Sequence, residues 1–127
     1  MLIDDNKLDN FFHTRVIRKH FDEIEILTYE NAESALECLS DLITDKPQII
    51  FLDINMPGMD GWEFLENYKK LDISQRECMV VIMLTTSEDP DDISKATANG
   101  ILTDFKTKPL TREMLIEVVD NFINKNG

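Results

Sequence analysis

Five polar side chains stand at the ends of apolar stretches in this chain. Asp4 and Asp5 follow Met1–Ile3, Asp53 follows Ile49–Leu52, Thr85 follows Met79–Leu84, and Lys108 comes just after Ile101–Phe105. Brought together, they would be three carboxylates, one hydroxyl and one ammonium. Two like charges about 4 Å apart repel by about 4 kcal/mol at an effective dielectric of about 20. One lysine cannot offset three such carboxylates. Either some carboxyls keep a proton or a divalent cation joins them. Hard oxygen ligands, few in number and leaving room for water and a phosphoryl oxygen, favour Mg²⁺ over Ca²⁺, with Mn²⁺ an acceptable substitute.

Taken singly, each residue is ordinary. An Asp at a strand end is often a turn former, Thr85 can end a strand, and Lys108 can be a solvated surface lysine followed by a strand-ending Pro109. What carries weight is that all of them occur in one order along one chain, provided the elements between them bring their ends to one place.

Those elements alternate. Leu8, Phe11, Phe12, Val16, Ile17 and Phe21 recur at helical spacing, which predicts a first helix. Ile24–Thr28 reads as a strand. Asn31 caps a second helix that carries Ala32, Ala35, Leu36, Leu39 and Leu42 on one side. Ile49–Leu52 is a continuous apolar strand, and Trp62, Leu65, Tyr68 and Lys69 lie on a third helix. Met79–Leu84 is a second fully apolar strand. Asp89 and Pro90 open a fourth helix that Gly100 stops. Ile101–Phe105 is the fifth strand. Thr111 caps a last helix with Met114, Leu115, Val118, Phe122 and Ile123 inward. Strand and helix alternate five times, which predicts an α/β chain: a five-stranded parallel sheet, doubly wound, in a flavodoxin-like three-layer (β/α)5 sandwich. In such sheets ligands bind beyond the carboxyl ends of the strands, where the five residues stand.

Composition narrows the function classes. A length of 127 residues suits one domain, 1–127, and is short for two. Lys and Arg number 13 and Asp and Glu 25, a formal net charge of −12. That charge repels phosphate backbones and anionic membrane surfaces, so neither nucleic acid nor membrane is an expected partner. The longest apolar run, Cys78–Leu84, is far short of a membrane span, and acidic residues arrive too early for a secretory signal; a cytoplasmic location is expected. Cys38 and Cys78 are read as buried thiols in a reducing compartment, since with His13 and His20 they lack zinc-site spacing. His13 and His20 are read as surface residues without chemistry. For Phe11 and Phe12, core placement of at least one is expected; the alternative is an exposed patch that docks a helix of a protein partner. Trp62 is read as a helix-start packing residue. The acidic run Glu88, Asp89, Asp91 and Asp92 is read as a solvated helix start and not as a second metal site.

The segment Phe51-Leu52-Asp53-Ile54-Asn55-Met56-Pro57-Gly58-Met59-Asp60-Gly61, with Leu2-Ile3-Asp4-Asp5-Asn6, Leu84-Thr85 and Lys108-Pro109, resembles the receiver domain of two-component response regulators, in its single-domain, chemotaxis-receiver-like form. The resemblance runs over essentially the whole chain. It implies that Asp53 is a nucleophile taking a phosphoryl group from a phosphohistidine. It implies that Asp4, Asp5, Asp53 and the backbone carbonyl of Asn55 hold Mg²⁺, that Thr85 meets a phosphoryl oxygen, and that Lys108 pairs with Asp53 or the phosphoryl group. Phe105 falls at the aromatic switch position, and a cis Lys108-Pro109 bond is implied as well. Expected partners are a histidine kinase or phosphotransfer protein and a downstream protein target, with the receiver a monomer or weak dimer. No enzymatic activity is expected beyond self-phosphorylation and self-dephosphorylation at Asp53. Three features depart from the family or tune it: a short first strand, Thr86 where a small residue is preferred, and the pair Asn55 and Ser87, neither an acid or base of useful pKa.

Three alternatives stand beside this reading. A Mg²⁺-dependent phosphatase of the aspartyl-phosphate type resembles Asp-x-Asp, but position 55 is Asn. A flavin-binding module would need a phosphate-cradling loop where Asp4 and Asp5 stand. A receiver fragment of a larger regulator or hybrid kinase shares the whole site.

Overall fold

A computed structural model describes residues 1–41, 47–71, 80–86 and 89–126. Five strands, β1 (Leu2–Ile3), β2 (Thr28–Tyr29), β3 (Ile49–Leu52), β4 (Val80–Thr85) and β5 (Leu102–Thr107), form one sheet in the order β2-β1-β3-β4-β5. All four pairings are parallel. Among the described residues five helices join them: α1 (Lys7–His20), α2 (Ala32–Ser40), α3 (Gly61–Tyr68), α4 (Pro90–Ala98) and α5 (Arg112–Asn126). This is the expected doubly wound α/β sandwich, and its strand order is that of flavodoxin-like sheets.

The two faces of the sheet bury two separate cores. On one, Ile3, Ile50, Leu52, Val81 and Met83 meet Ala32, Ala35 and Leu39 of α2 and Phe64, Leu65 and Tyr68 of α3. On the other, Leu2, Phe51, Val80, Ile82 and Leu84 meet Ile17 of α1 and Leu115 and Val118 of α5. Strand residues alternate between the clusters, so a strand buried on both sides needs an unbroken apolar run.

Each helix start has a polar cap. Asn6, Asn31, Asp60 and Asp89 accept backbone N–H groups of α1 to α4, and Asp60 and Glu63 complete a reciprocal capping box. Thr111 Oγ1 accepts the Met114 N–H at the start of α5 (3.2 Å). The turn after β3 uses Gly58 at φ 76°, the left-handed region that favours glycine. Gly61 lets α3 approach β3: a Cβ there would meet the backbone carbonyl of Asp53 and lie 2.9 Å from Ile54 Cα.

Several boundaries and faces differ from the sequence reading. β2 is Thr28–Tyr29 rather than Ile24–Thr28, and Ile24 is exposed, because this edge strand pairs only with the two residues of β1. β5 runs on to Thr107, following β4 as far as the Thr85–Thr107 pairing, although its last residues are polar. The register slips between Val81 and Ile82, so Thr103 bulges from the ladder. α4 stops through Asn99, whose Oδ1 accepts the Ile101 and Leu102 N–H groups, with Gly100 following. Ile123 of α5 is exposed, not inward.

α1 shows the largest correction. Leu8, Phe11 and Phe12 are exposed, at 76%, 62% and 50%, while Asn10, His13 and Ile17 face the sheet. His13 is therefore a buried residue and not a surface one. The first turns of α1 lie over the acidic strand ends, where carbonyls and charges need polar partners, so the apolar face turns outward. Cys38 is a half-buried thiol beside the Tyr29 hydroxyl, at the edge of a core cluster rather than fully buried. Leu42, Cys78, Met79, Ser87 and Glu88 lie outside the described residues.

Candidate functional site

The carboxyl ends of β1, β3, β4 and β5 bring four of the five expected side chains together, and Asp5 adds the fifth at the rim. Asp4 and Asp53 are buried, Thr85 is fully buried, and Asp5 is exposed. Asp4, Asp5 and Asp53 each offer a carboxylate oxygen within 4.8 Å of the others. Neighbouring strands hold the carboxylates in place: Asp4 N–H donates to Tyr29 O (3.0 Å) and Asp53 N–H to Ile3 O (3.0 Å).

Lys108 reaches into this group from beyond β5. Its backbone N–H donates to Thr85 O (2.8 Å), and its peptide bond to Pro109 is cis, as the sequence resemblance implies. Its ammonium Nζ lies 2.5 Å from Asp4 Oδ2, 2.7 Å from Asp9 Oδ2 and 3.6 Å from Asp53 Oδ2. Burial alone would lower the Lys108 pKa. Hydrogen bonds to Asp4 and Asp9, with the charges of Asp53 and Asp4, outweigh burial and hold it above the ordinary lysine value.

The Asp53 carboxylate shows the opposite balance. Burial pushes its pKa up and the Asp4 charge adds to that, while Lys108, a hydrogen bond with the Thr85 hydroxyl and one from the Ile54 N–H (2.9 Å to Oδ1) pull it down; the net direction is up. An ionised Asp53 is thus costly here, and any cation that enters relieves it. Among the described residues, the Lys108 ammonium meets the carboxylates of Asp4, Asp9 and Asp53, and Asp5 adds a further carboxylate beside Asp4 and Asp53. This all-oxygen donor set, open on the Asp5 side, fits a small hard divalent cation.

Sequence reasoning missed three residues of this region. Asp9 shares the Lys108 ammonium. Asn10 Nδ2 donates to the Asp4 carbonyl (2.9 Å) and approaches Tyr29 O (3.4 Å), tying α1 to two strand ends. His13 shares a small crevice with Asp4, Asn10 and Asp53. Burial, then the Lys108 charge, lowers its pKa against the opposing pull of Asp9 and Asp4. The available signal was the spacing of Asn10, His13 and Ile17, which share one helical face as regularly as the apolar residues do.

Phe105 is half-buried on β5 and pairs in register with Met83, two positions before Thr85. It lines a groove of about 410 Å³ between α4 and β5, with Ile93, Thr97 and Leu102. Trp62 does more than pack at a helix start. Its Nε1–H donates to Asp92 Oδ1 (3.0 Å) and Lys95 Nζ lies 5.7 Å from its ring centroid, so it links α3 to α4.

Comparison with known proteins finds one family across this arrangement. The family described as the response regulator receiver domain matches residues 1–120. The chain is 29% identical over 110 residues to two-component response regulator ORR6 of Oryza sativa subsp. japonica, covering 87% of this chain and 62% of that protein. It is 30% identical over 92 residues to sporulation initiation phosphotransferase F of Bacillus subtilis, covering 72% and 70%. It spans 48% of the length of the sensory transduction protein LytT of the same bacterium, at 25% identity. A crystal structure of a two-component response regulator from Cytophaga hutchinsonii superposes with a TM-score of 0.88 at 34% identity, covering 97% of this chain and 94% of that one.

Proposed function

The chain belongs to the response-regulator receiver family, and from that premise we propose that Asp53 accepts a phosphoryl group from a phosphohistidine and thereby switches a protein-binding surface. The observation that carries this reading is the convergence of Asp4, Asp5, Asp53, Thr85 and Lys108 at one sheet edge.

The chemistry follows from that geometry. An Asp53 carboxylate oxygen attacks phosphorus, the P–N bond breaks, and its electron pair returns to the departing imidazole. Such a transfer asks mainly for in-line positioning and neutralisation of charge on the phosphoryl oxygens. The Ile54 N–H and Thr85 hydroxyl orient the nucleophile, and Lys108 supplies positive charge beside it. The Asp4, Asp5 and Asp53 carboxylates, with the backbone carbonyl of Asn55, are the residues that would hold Mg²⁺, or Mn²⁺ in its place. Bound there, the ion supplies charge neutralisation to the phosphoryl oxygens.

Phosphorylation adds roughly 1 to 2 negative charges at Asp53. Thr85 and Lys108 turn toward that charge, and Phe105 moves into the groove that it already borders. This biases the α4–β5 face between two states and passes output to a protein target. The exposed Leu8, Phe11 and Phe12 beside the site suit docking of the donor helix from a histidine kinase or phosphotransfer protein. Among the described residues, no helix is long and apolar enough to cross a membrane. We place the chain, residues 1–127, in the cytoplasm as a single receiver unit, monomeric or weakly dimeric.

Receiver domains are generally signalling modules and not enzymes, so turnover beyond addition and loss of the group at Asp53 is not part of this reading. The phosphatase and flavin alternatives have no comparable support.

The test is intact mass after incubation with acetyl phosphate, with Mg²⁺ or with EDTA, for wild type and Asp53→Asn. A single adduct that needs Mg²⁺ and vanishes in the variant is expected. A folded wild type that takes no phosphoryl group from acetyl phosphate or from a phosphohistidine protein would overturn the reading.

A further inference from the structure

Resting on the phosphoacceptor reading, we propose that Asp9 is a positioning residue that holds Lys108 away from Asp53 in the resting protein and so restrains phosphorylation. A lysine ammonium has three N–H donors. Two of them are engaged by Asp4 Oδ2 and Asp9 Oδ2, both within hydrogen-bond distance. Asp53 Oδ2, at 3.6 Å, is an ion-pair neighbour only. The residue that receives the phosphoryl group is therefore the weakest partner of the cation that must meet it.

Asp9 is well placed for this competition. It sits in the first turn of α1, and that turn is fastened to the site. Asn6 Oδ1 accepts the Asp9 N–H (3.2 Å), the Asn6 N–H donates to Asp4 Oδ1 (3.0 Å), and Asn10 Nδ2 donates to the Asp4 carbonyl. The Asp9 carboxylate thus has a fixed reach to Lys108. Its side chain is also 35% exposed, against 6% for Asp4, so water can replace Lys108 when the lysine leaves. A pair that forms in a set geometry and parts at low cost is a restraint and not a permanent clamp. Added negative charge on Asp53 pulls Lys108 from Asp9; neutralising Asp9 removes the competitor beforehand.

The experiment compares wild type, Asp9→Asn, Asp9→Glu and Glu30→Gln. Glu30 lies just beyond β2 at the same end of the sheet and pairs only loosely with Lys7 (4.0 Å), so its loss controls for net charge. In the resting protein, proton exchange of the Lys108 ammonium, read by ¹⁵N NMR without donor, is expected to quicken several-fold in Asp9→Asn alone. With acetyl phosphate and Mg²⁺, the initial rate of adduct formation is expected to rise about five-fold in Asp9→Asn, the scale of one partly exposed ion pair. Glu30→Gln is expected to stay within about two-fold, as a screened surface charge should, and Asp9→Glu to return most of the restraint. An Asp9→Asn rate no higher than that of Glu30→Gln, in a wild type that phosphorylates normally, overturns this inference and leaves the phosphoacceptor reading standing. A wild type that accepts no phosphoryl group from any donor overturns both.

Discussion

β4 and β5 are neighbouring strands of six residues each, yet all six of β4 are buried and none of β5 is. β4 lies between β3 and β5 with core on both faces. β5 is an edge strand, bulged at Thr103, and the helix across its outer face, α4, has no buried residue. By contrast α3 buries Gly61, Phe64, Leu65 and Tyr68. Thr85 ends the closed strand and Phe105 sits on the open one. Positioning a nucleophile requires side chains that packing holds still, whereas switching requires a surface whose alternative arrangement costs little. On the proposed reading, the two strands divide those tasks between them.

Matched substitutions on either side of this divide should separate the two regions. The largest contrast is between two phenylalanines. Phe64→Ala empties a fully enclosed site and is expected to cost about 3–5 kcal/mol, whereas Phe105→Ala, beside an open groove, should cost under about 1.5 kcal/mol. Chemical denaturation measures both, and equal losses would erase the distinction.

Two glycines give the next contrast. Gly61→Ala drives a methyl group against the backbone of Asp53 and Ile54, just beyond β3, and should cost about 2–3 kcal/mol. Gly100→Ala meets nothing within 4 Å and should stay within about 0.5 kcal/mol of wild type.

The third prediction concerns charge on the closed side. The Asp53 pKa is raised by folding, mainly through burial. The folded protein therefore holds that proton more tightly than the unfolded chain. The stability it contributes is present below the ordinary carboxylate value and is lost as pH rises through the raised one. Asp53→Asn should thus melt a few degrees above metal-free wild type at pH 7, about 2–6 °C. That gap should close toward pH 4, and Mg²⁺ should narrow it by stabilising wild type more. A melting-temperature difference that is constant with pH would refute the assignment.

The smallest effect tests how α4 is held. Trp62→Phe removes the indole bond to Asp92 and weakens the Lys95 contact. A loss of about 0.5–1.5 kcal/mol is expected. Amide hydrogen exchange should quicken in α4 and not in α3; a uniform change would show that the link is not local.

Much of this was legible in the chain. Ile49–Leu52 and the run through Val80–Leu84 read as strands because burial on both faces demands unbroken apolar residues. Asn31, Asp89 and Thr111 read as caps because a helix start needs an acceptor. Asp53, Thr85 and Lys108 followed, since strand ends in a parallel sheet converge. The helix faces over the site did not read correctly. Leu8, Phe11 and Phe12 satisfy the helical period as well as any core stripe. Periodicity counts apolar residues and is blind to what lies beneath them, which here is a set of carbonyls and carboxylates that Asn10 and Asp9 must meet.

The sequence by itself determined the alternation of elements, the sheet they form and the residues at its carboxyl edge, because local periodicity, caps and strand composition act over a few residues. Tertiary structure alone decided which side of α1 faces the sheet, where β2 and β5 begin and end, and that the Lys108 ammonium lies nearer to Asp4 and Asp9 than to Asp53. Those outcomes depend on distances between groups as many as 104 positions apart in the chain, which no local pattern encodes.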